Sequence, residues 1–147
     1  LKSIMLSKNK FEFVINTFPE TDYALDSKFK LDLIKDILAS KEMYLGRYYF
    51  EKRKWIPAIN RFRKVIDDYS RTIYIEEALH RLVEVYYTLG LIDEAEKYAN
   101  LLGYNYQSSE WYKKSYGVFN KQYVKNLKKK NKKKEGLIKR KFKSLFE

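Results

Sequence analysis

Hydrophobic positions recur along this chain with a helical rather than an alternating period, and short polar breaks divide them into six segments. The first (Ile4, Met5, Phe11, Val14, Ile15) stops at Phe18-Pro19, because Pro cannot continue the hydrogen-bond ladder and restricts the residue before it. Asp22 is the expected N-cap of a run from Tyr23 to Arg53, long for one helix, with Leu25, Phe29, Ile34, Ile37, Leu38, Leu45 and Tyr49 as expected buried positions. Pro57 marks the first turn of the next helix, whose stripe Ile59, Phe62, Val65 and Ile66 ends near Tyr69-Ser70. A fourth helix spans about Ile75 to Leu89 and is closed by Gly90, at the position where helices favour a left-handed residue. The fifth runs from near Asp93 to around Gly103, and Trp111, Tyr112, Tyr116 and Phe119 predict a sixth. Nothing alternates with period two for long enough to predict a sheet, so the expected class is all-α.

The segments repeat. A shift of 37 residues superposes Leu45 on Leu82, Tyr49 on Tyr86, Trp55 on Ile92, Ala58 on Ala95, Val65 on Leu102 and Tyr69 on Tyr106. A shift of 51 superposes Phe11 on Phe62, Val14 on Val65, Phe18 on Tyr69, Thr21 on Thr72 and Tyr23 on Tyr74. Within each unit the spacing resembles the tetratricopeptide pattern, a Leu-Gly pair and a Tyr on the first helix and a small residue where the second helix touches it. Leu45, Gly46, Tyr49, Ala58 and Phe62 meet that pattern in one unit, and Leu82, Tyr86, Ala95 and Ala99 in the next, where Val83 replaces the Gly. Ser70 stands where a Pro usually closes the first unit. The expectation is a helical-repeat solenoid over residues 1–120, with a truncated first repeat, complete units at about 39–72 and 76–109, and a terminal helix at about 110–120. An ordinary helical bundle would also place Ala and Leu at such positions; repetition across three segments weighs against it.

Composition narrows the chemistry. The 147 residues, 45% hydrophobic and 17% aromatic, suffice for a buried core. Zero Cys excludes disulfides, thiolate metal sites and a cysteine nucleophile, and His80, the one histidine, reads as a structural or surface residue rather than a ligand. None of the five glycines forms a phosphate-cradling loop with a following Lys. Asp93, Glu94 and Glu96 stand at a helix start, where acidic groups favour the macrodipole. No serine has a base nearby in sequence, so the chain reads as a non-enzyme without a catalytic residue, cofactor or metal. No stretch approaches the roughly 18 apolar residues of a membrane-spanning helix. Beginning at Leu1 within a helical pattern, the chain is expected to be the C-terminal part of something longer.

The net charge of +12 is concentrated: residues 121–147 hold 12 basic side chains against Glu135 and Glu147, which leaves only +2 on the rest. Lys outnumbers Arg 24 to 7, giving point-charge attraction rather than forked contacts to bases. The run between Leu127 and Lys134 is expected to be a solvated linker. After it, Ile138, Phe142 and Leu145 fall at i, i+4 and i+7 among Lys139, Arg140, Lys141 and Lys143, the layout of a short basic amphipathic helix suited to an acidic membrane surface. A disordered, merely solubilising end is the alternative. For the folded part, Tyr44, Tyr48, Tyr49 and Phe50 share a helix with Arg47 and Arg53, and side chains spaced this closely around a helix cannot all face inward. One or two of Arg47, Tyr48 and Arg53 are therefore expected on an exposed contact surface.

The ordered set of segments resembles the BamD (ComL/YfiO-like) family of outer-membrane assembly lipoproteins. The residues that carry the resemblance are Phe18-Pro19-x-Thr21-x-Tyr23-Ala24, Leu38-Ala39-x-x-Glu42, Gly46-Arg47-Tyr48-Tyr49, Trp55-x-x-Ala58 with Asn60-Arg61, Asp68-Tyr69-x-x-Thr72, Glu77-Ala78-Leu79, Ala95-Glu96-Lys97 and Ser109-x-Trp111-Tyr112. They cover roughly two thirds of the chain. The resemblance implies the C-terminal half of a five-repeat periplasmic scaffold, tethered to the outer membrane by a lipidated Cys that this sequence lacks. It further implies partners: a BamA-like POTRA-domain protein, other barrel-assembly subunits and unfolded outer-membrane proteins. Arg47, Tyr48, Arg53, Asn60 and Arg61 are the matching positions expected to touch a partner; Ile138, Phe142 and Leu145, outside the resemblance, are expected at a membrane surface from their amphipathic spacing alone. Two alternatives stay open: another cell-envelope tetratricopeptide adaptor, and a nucleic-acid-binding protein acting through the basic tail.

Overall fold

The computed structural model describes residues 2–120. Six helices follow one another: α1 (Lys2–Thr17), α2 (Asp22–Glu51), α3 (Trp55–Asp68), α4 (Ile75–Thr88), α5 (Ile92–Asn105) and α6 (Glu110–Phe119), with no strand among the described residues. Each helix packs on the next, and α4 also packs on α6, the layered arrangement of an all-α tetratricopeptide-like repeat. The main core joins Ala39 and Met43 of α2, Ala58, Phe62 and Val65 of α3, Ala78, Leu82 and Val85 of α4, and Ala95 of α5.

Small residues set the helix spacing. A Cβ built on Gly46 would lie 2.4 Å from Phe62 Cε1, so the fully buried Phe62 ring occupies the space that any other residue at position 46 would need. One repeat further on, the corresponding positions are Val83 and Ala99: the bulk has moved from the second helix of the pair to the first. This exchange of volume accounts for the missing glycine in the second unit.

The turns repeat as faithfully as the core. After α2, Arg53 N–H donates to Phe50 O (2.9 Å) and Lys54 N–H to Tyr49 O (2.9 Å). After α4, Gly90 N–H donates to Tyr87 O (3.1 Å) and Leu91 N–H to Tyr86 O (2.9 Å). Both are the 6→1 and 5→2 closure of a helix by a left-handed residue. That residue is Gly90 (φ 76°) in one case and Arg53 (φ 55°) in the other, 37 positions apart. A second turn recurs with the 51-residue shift: the Thr21 hydroxyl donates to Phe18 O and the Thr72 hydroxyl to Tyr69 O, both at 2.8 Å.

Several expectations are corrected. Thr21, not Asp22, caps α2, since its side chain accepts from Ala24 N–H and Asp22 is already helical. The long run is a single helix of 30 residues. Leu25, Phe29 and Ile37 are exposed; Ala24, Leu31, Ile34 and Leu38 form the buried face in that half of α2, which has α1 alone beside it. Gly103 does not end α5 but lies inside it, where its missing Cβ admits Tyr112 of α6 (2.7 Å to Cε2). The tail, 121–147, lies outside the described residues.

Two substitutions test this packing by urea unfolding. Gly46→Ala gains about 1 kcal/mol of helix propensity but overpacks a rigid site at a cost of about 1–3 kcal/mol, so a net loss is expected, partly recovered by adding Phe62→Leu; Gly103→Ala, facing a half-buried Tyr112 that can swing aside, is expected to be close to neutral. Arg53→Gly relieves a left-handed conformation that costs an L-residue roughly 1–2 kcal/mol, and is expected to raise stability where Arg53→Ala does not.

Candidate functional site

The five residues expected to meet a partner lie on two helices and the turn between them, and the structure gives them different jobs. Arg47 leaves α2 toward α4, where its Nε sits 3.1 Å from Glu77 Oε1, off the hydrogen-bonding direction, as an ion pair between the two helices. Tyr48 is exposed, its ring resting edge-on against Tyr49 at 5.6 Å between centroids. Arg53 is exposed at the left-handed turn already described. On α3, Asn60 is exposed, while Arg61 donates to Glu42 Oε2 of α2 at 2.9 Å. Glu42 is almost completely buried, so Arg61 serves first as the counter-ion of a carboxylate held between α2 and α3.

Asn60 and Arg61 line a shallow groove of about 310 Å³ with Tyr49, Ile56, Pro57 and Lys64. The structure thus brings Asn60, Arg61 and the tyrosine beside Tyr48 to one surface. Arg47 points away from it into the α2–α4 contact. Lys64, also in the groove, is ion-paired with Asp68, and that hydrogen bond raises its pKa against the opposing effect of burial.

A second cluster had no counterpart in the expectations. Arg81 of α4 donates to Glu84 Oε2 at 2.8 Å and to Glu77 Oε1 at 3.4 Å, and its guanidinium lies 5.6 Å from the Phe50 ring and 5.9 Å from that of Trp111. Buried His80 places Nδ1 2.9 Å from the fully buried Ser115 Oγ and Nε2 3.6 Å from Glu84 Oε1. Burial alone would raise the Glu84 carboxyl, but hydrogen bonds and charge from His80 and Arg81 outweigh it and hold the group below its ordinary value. The Ser109 hydroxyl adds a further tie, donating to Glu76 of α4 while capping α6 through Trp111 N–H. These groups pin α6 onto α4, so His80 is a structural histidine. The i, i+4 and i+7 spacing of Glu77, Arg81 and Glu84 was visible as a charged ladder on one helix face; Ser115 and Trp111, far away in sequence on α6, carried no signal. Among the described residues no group of His, Asp and Glu is placed to hold a metal ion, and no helix is long and apolar enough to cross a membrane. The membrane-surface positions Ile138, Phe142 and Leu145 lie outside the described residues.

Comparison with known proteins identifies the family. The family model described as an outer membrane lipoprotein, YfiO, matches residues 1–101. The outer membrane protein assembly factor BamD of Rickettsia prowazekii (strain Madrid E) is 56% identical over 111 residues, which are 76% of this chain and 44% of that protein. BamD of Caulobacter vibrioides is 42% identical over 107 residues (73% of this chain, 35% of that protein), and BamD of Neisseria meningitidis serogroup A is 33% identical over 99 residues (67% and 37%). The chain thus spans less than half the length of each of these curated relatives. The match takes in α1 to α4 whole and most of α5, including Gly46, the Glu42–Arg61 pair and both left-handed turns. On this evidence the chain belongs to the YfiO family of outer membrane lipoproteins, which includes BamD.

Proposed function

We propose that this protein is a scaffold subunit of the machinery that assembles β-barrel proteins into the outer membrane, holding partner proteins on its helical repeats without catalysing a reaction. The observation that carries this reading is the 56% identity to a protein named as outer membrane protein assembly factor BamD. In this reading the repeats at 39–72 and 76–109 form the binding unit. It works at the periplasmic face of the outer membrane, and a lipid anchor belongs to the full-length protein. The partners are a BamA-like POTRA-domain protein, other assembly subunits and unfolded outer-membrane proteins. The near-neutral charge of residues 1–120 favours a protein partner over nucleic acid, which a repeat surface would have to attract through an excess of basic groups.

The geometry ranks the contact residues. Tyr48 and Asn60 are free to meet a partner, whereas Arg47 and Arg61 are engaged in interhelical ion pairs and contribute the exposed remainder of their side chains. Calorimetric titration of the chain with the POTRA region of a barrel-assembly protein tests the reading. Tyr48→Ala is expected to weaken binding by about tenfold, the cost of a moderate hot spot, with no change in urea stability. Arg61→Ala is expected to weaken binding and also to cost about 1–3 kcal/mol of stability, because it leaves the Glu42 carboxylate buried without its donor. Absence of association with any POTRA region would refute the assignment.

A further inference from the structure

The turn between α2 and α3 holds an arginine at a position where the next repeat has a glycine. Arg53 has φ 55°, and the equivalent turn after α4 uses Gly90 at φ 76°. No contact offsets the strain: Arg53 is exposed, and among the described residues its side chain takes part in no hydrogen bond, ion pair or ring contact. Lys52 and Lys54 beside it are exposed and equally free, and Glu51 pairs with none of the three. The repeat itself does not require this charge, since the same positions in the next unit read Leu89-Gly90-Leu91. Three cations against Glu51 make +2, the whole net charge of residues 1–120, so all other charges there cancel. A strained residue with no internal contact points to a contact outside the chain.

The chemistry of that contact follows from what the turn leaves available. The N–H groups of Lys52, Arg53 and Lys54 donate to Tyr48 O, Phe50 O and Tyr49 O, so only side chains can hold an anion here. In the groove beside the turn, Arg61 and Lys64 already face Glu42 and Asp68. The three cations of the turn are uncommitted, and the exposed Ile56 stands next to them. Carboxylates fit: the Arg fork takes one through two parallel hydrogen bonds, and the lysines attract others as point charges. Shape favours a protein over a bilayer. Arg47 lies against Glu77 and Phe50 against Arg81, so α2 and α4 run parallel; α2 ends four residues past Arg47, whereas α4 continues eleven past Glu77. The difference leaves the basic turn about 10 Å short of the turn after α4. A flat bilayer approaching this edge meets Leu89 and Leu91 first, while a protein segment can enter the step. We infer that Lys52, Arg53 and Lys54 clamp a cluster of carboxylates on a partner protein. The inference rests on the proposed scaffold role and supplies the chemistry of one of its contacts.

The experiment titrates the full 147-residue chain calorimetrically with the POTRA region of a barrel-assembly protein and follows urea unfolding of each variant; the basic tail is the same in all of them. Arg53→Gly is expected to raise the urea midpoint yet weaken binding about fivefold, opposite signs that a purely structural residue does not produce. Lys52→Gln combined with Lys54→Gln is expected to weaken binding similarly at unchanged stability. Both losses should vanish at about 0.5 M NaCl, where exposed charges are screened. Unaltered affinity in both variants would overturn the clamp. If the unsubstituted chain binds no POTRA region, the scaffold reading fails separately, and a hexaglutamate peptide decides the clamp. Amide shifts at residues 51–57 that Arg53→Gly abolishes would uphold it, and their absence would overturn it. Arg53-dependent sedimentation with phosphatidylglycerol vesicles, without such shifts, would assign the turn to a lipid surface and equally overturn it.

Discussion

The contact between Gly46 and the Phe62 ring sets the distance between α2 and α3, and much of the remaining geometry follows from it. With no Cβ at position 46, the aromatic ring seats against backbone, which draws Ala39, Met43, Ala58 and Val65 into one core and leaves Glu42 with so little solvent that it requires Arg61. Close packing propagates because protein interiors transmit strain rather than absorb it. In the next helix pair the corresponding positions hold Val83 and Ala99, a different partition of side-chain volume between the two helices.

Much of the fold was legible because its signals are local. Helix identity, the Gly90 closure and the two repeat shifts rest on spacing and turn chemistry that need no knowledge of neighbours. Leu25, Phe29 and Ile37 show where such reasoning fails. A helical period marks a face as apolar, but whether that face is covered depends on which elements lie beside it, and this half of α2 has α1 on the other side. Arg53 was misleading for a related reason: a left-handed turn is read from glycine, and here the repeat enforces it on an arginine.

The candidate surface was legible in part. Tyr48 was recognisable as one aromatic too many for the inward face of its helix, and it is exposed. Arg47 and Arg61 looked equally available, but their acidic partners, Glu77 and Glu42, stand 30 and 19 residues away in sequence. Such pairings exist only once helices are stacked, and they tie both arginines into the scaffold while leaving part of each side chain exposed. The His80, Ser115 and Glu84 group was hidden in the same way, since a lone histidine in sequence gives no indication of the hydroxyl that folding places against it.

The length of α2 has a geometric consequence. The two repeat shifts, 51 and 37, differ by 14 residues, close to four full turns of helix. An extension of that size displaces α1 along the α2 axis by about 21 Å while rotating it only about 40° relative to an unextended repeat. The helix behaves as a splice that lengthens the solenoid without putting its two ends out of phase. Insertions of two or five residues within 25–37 would swing α1 to the far side of the rod, so changes of length in this part of the family should come in whole turns.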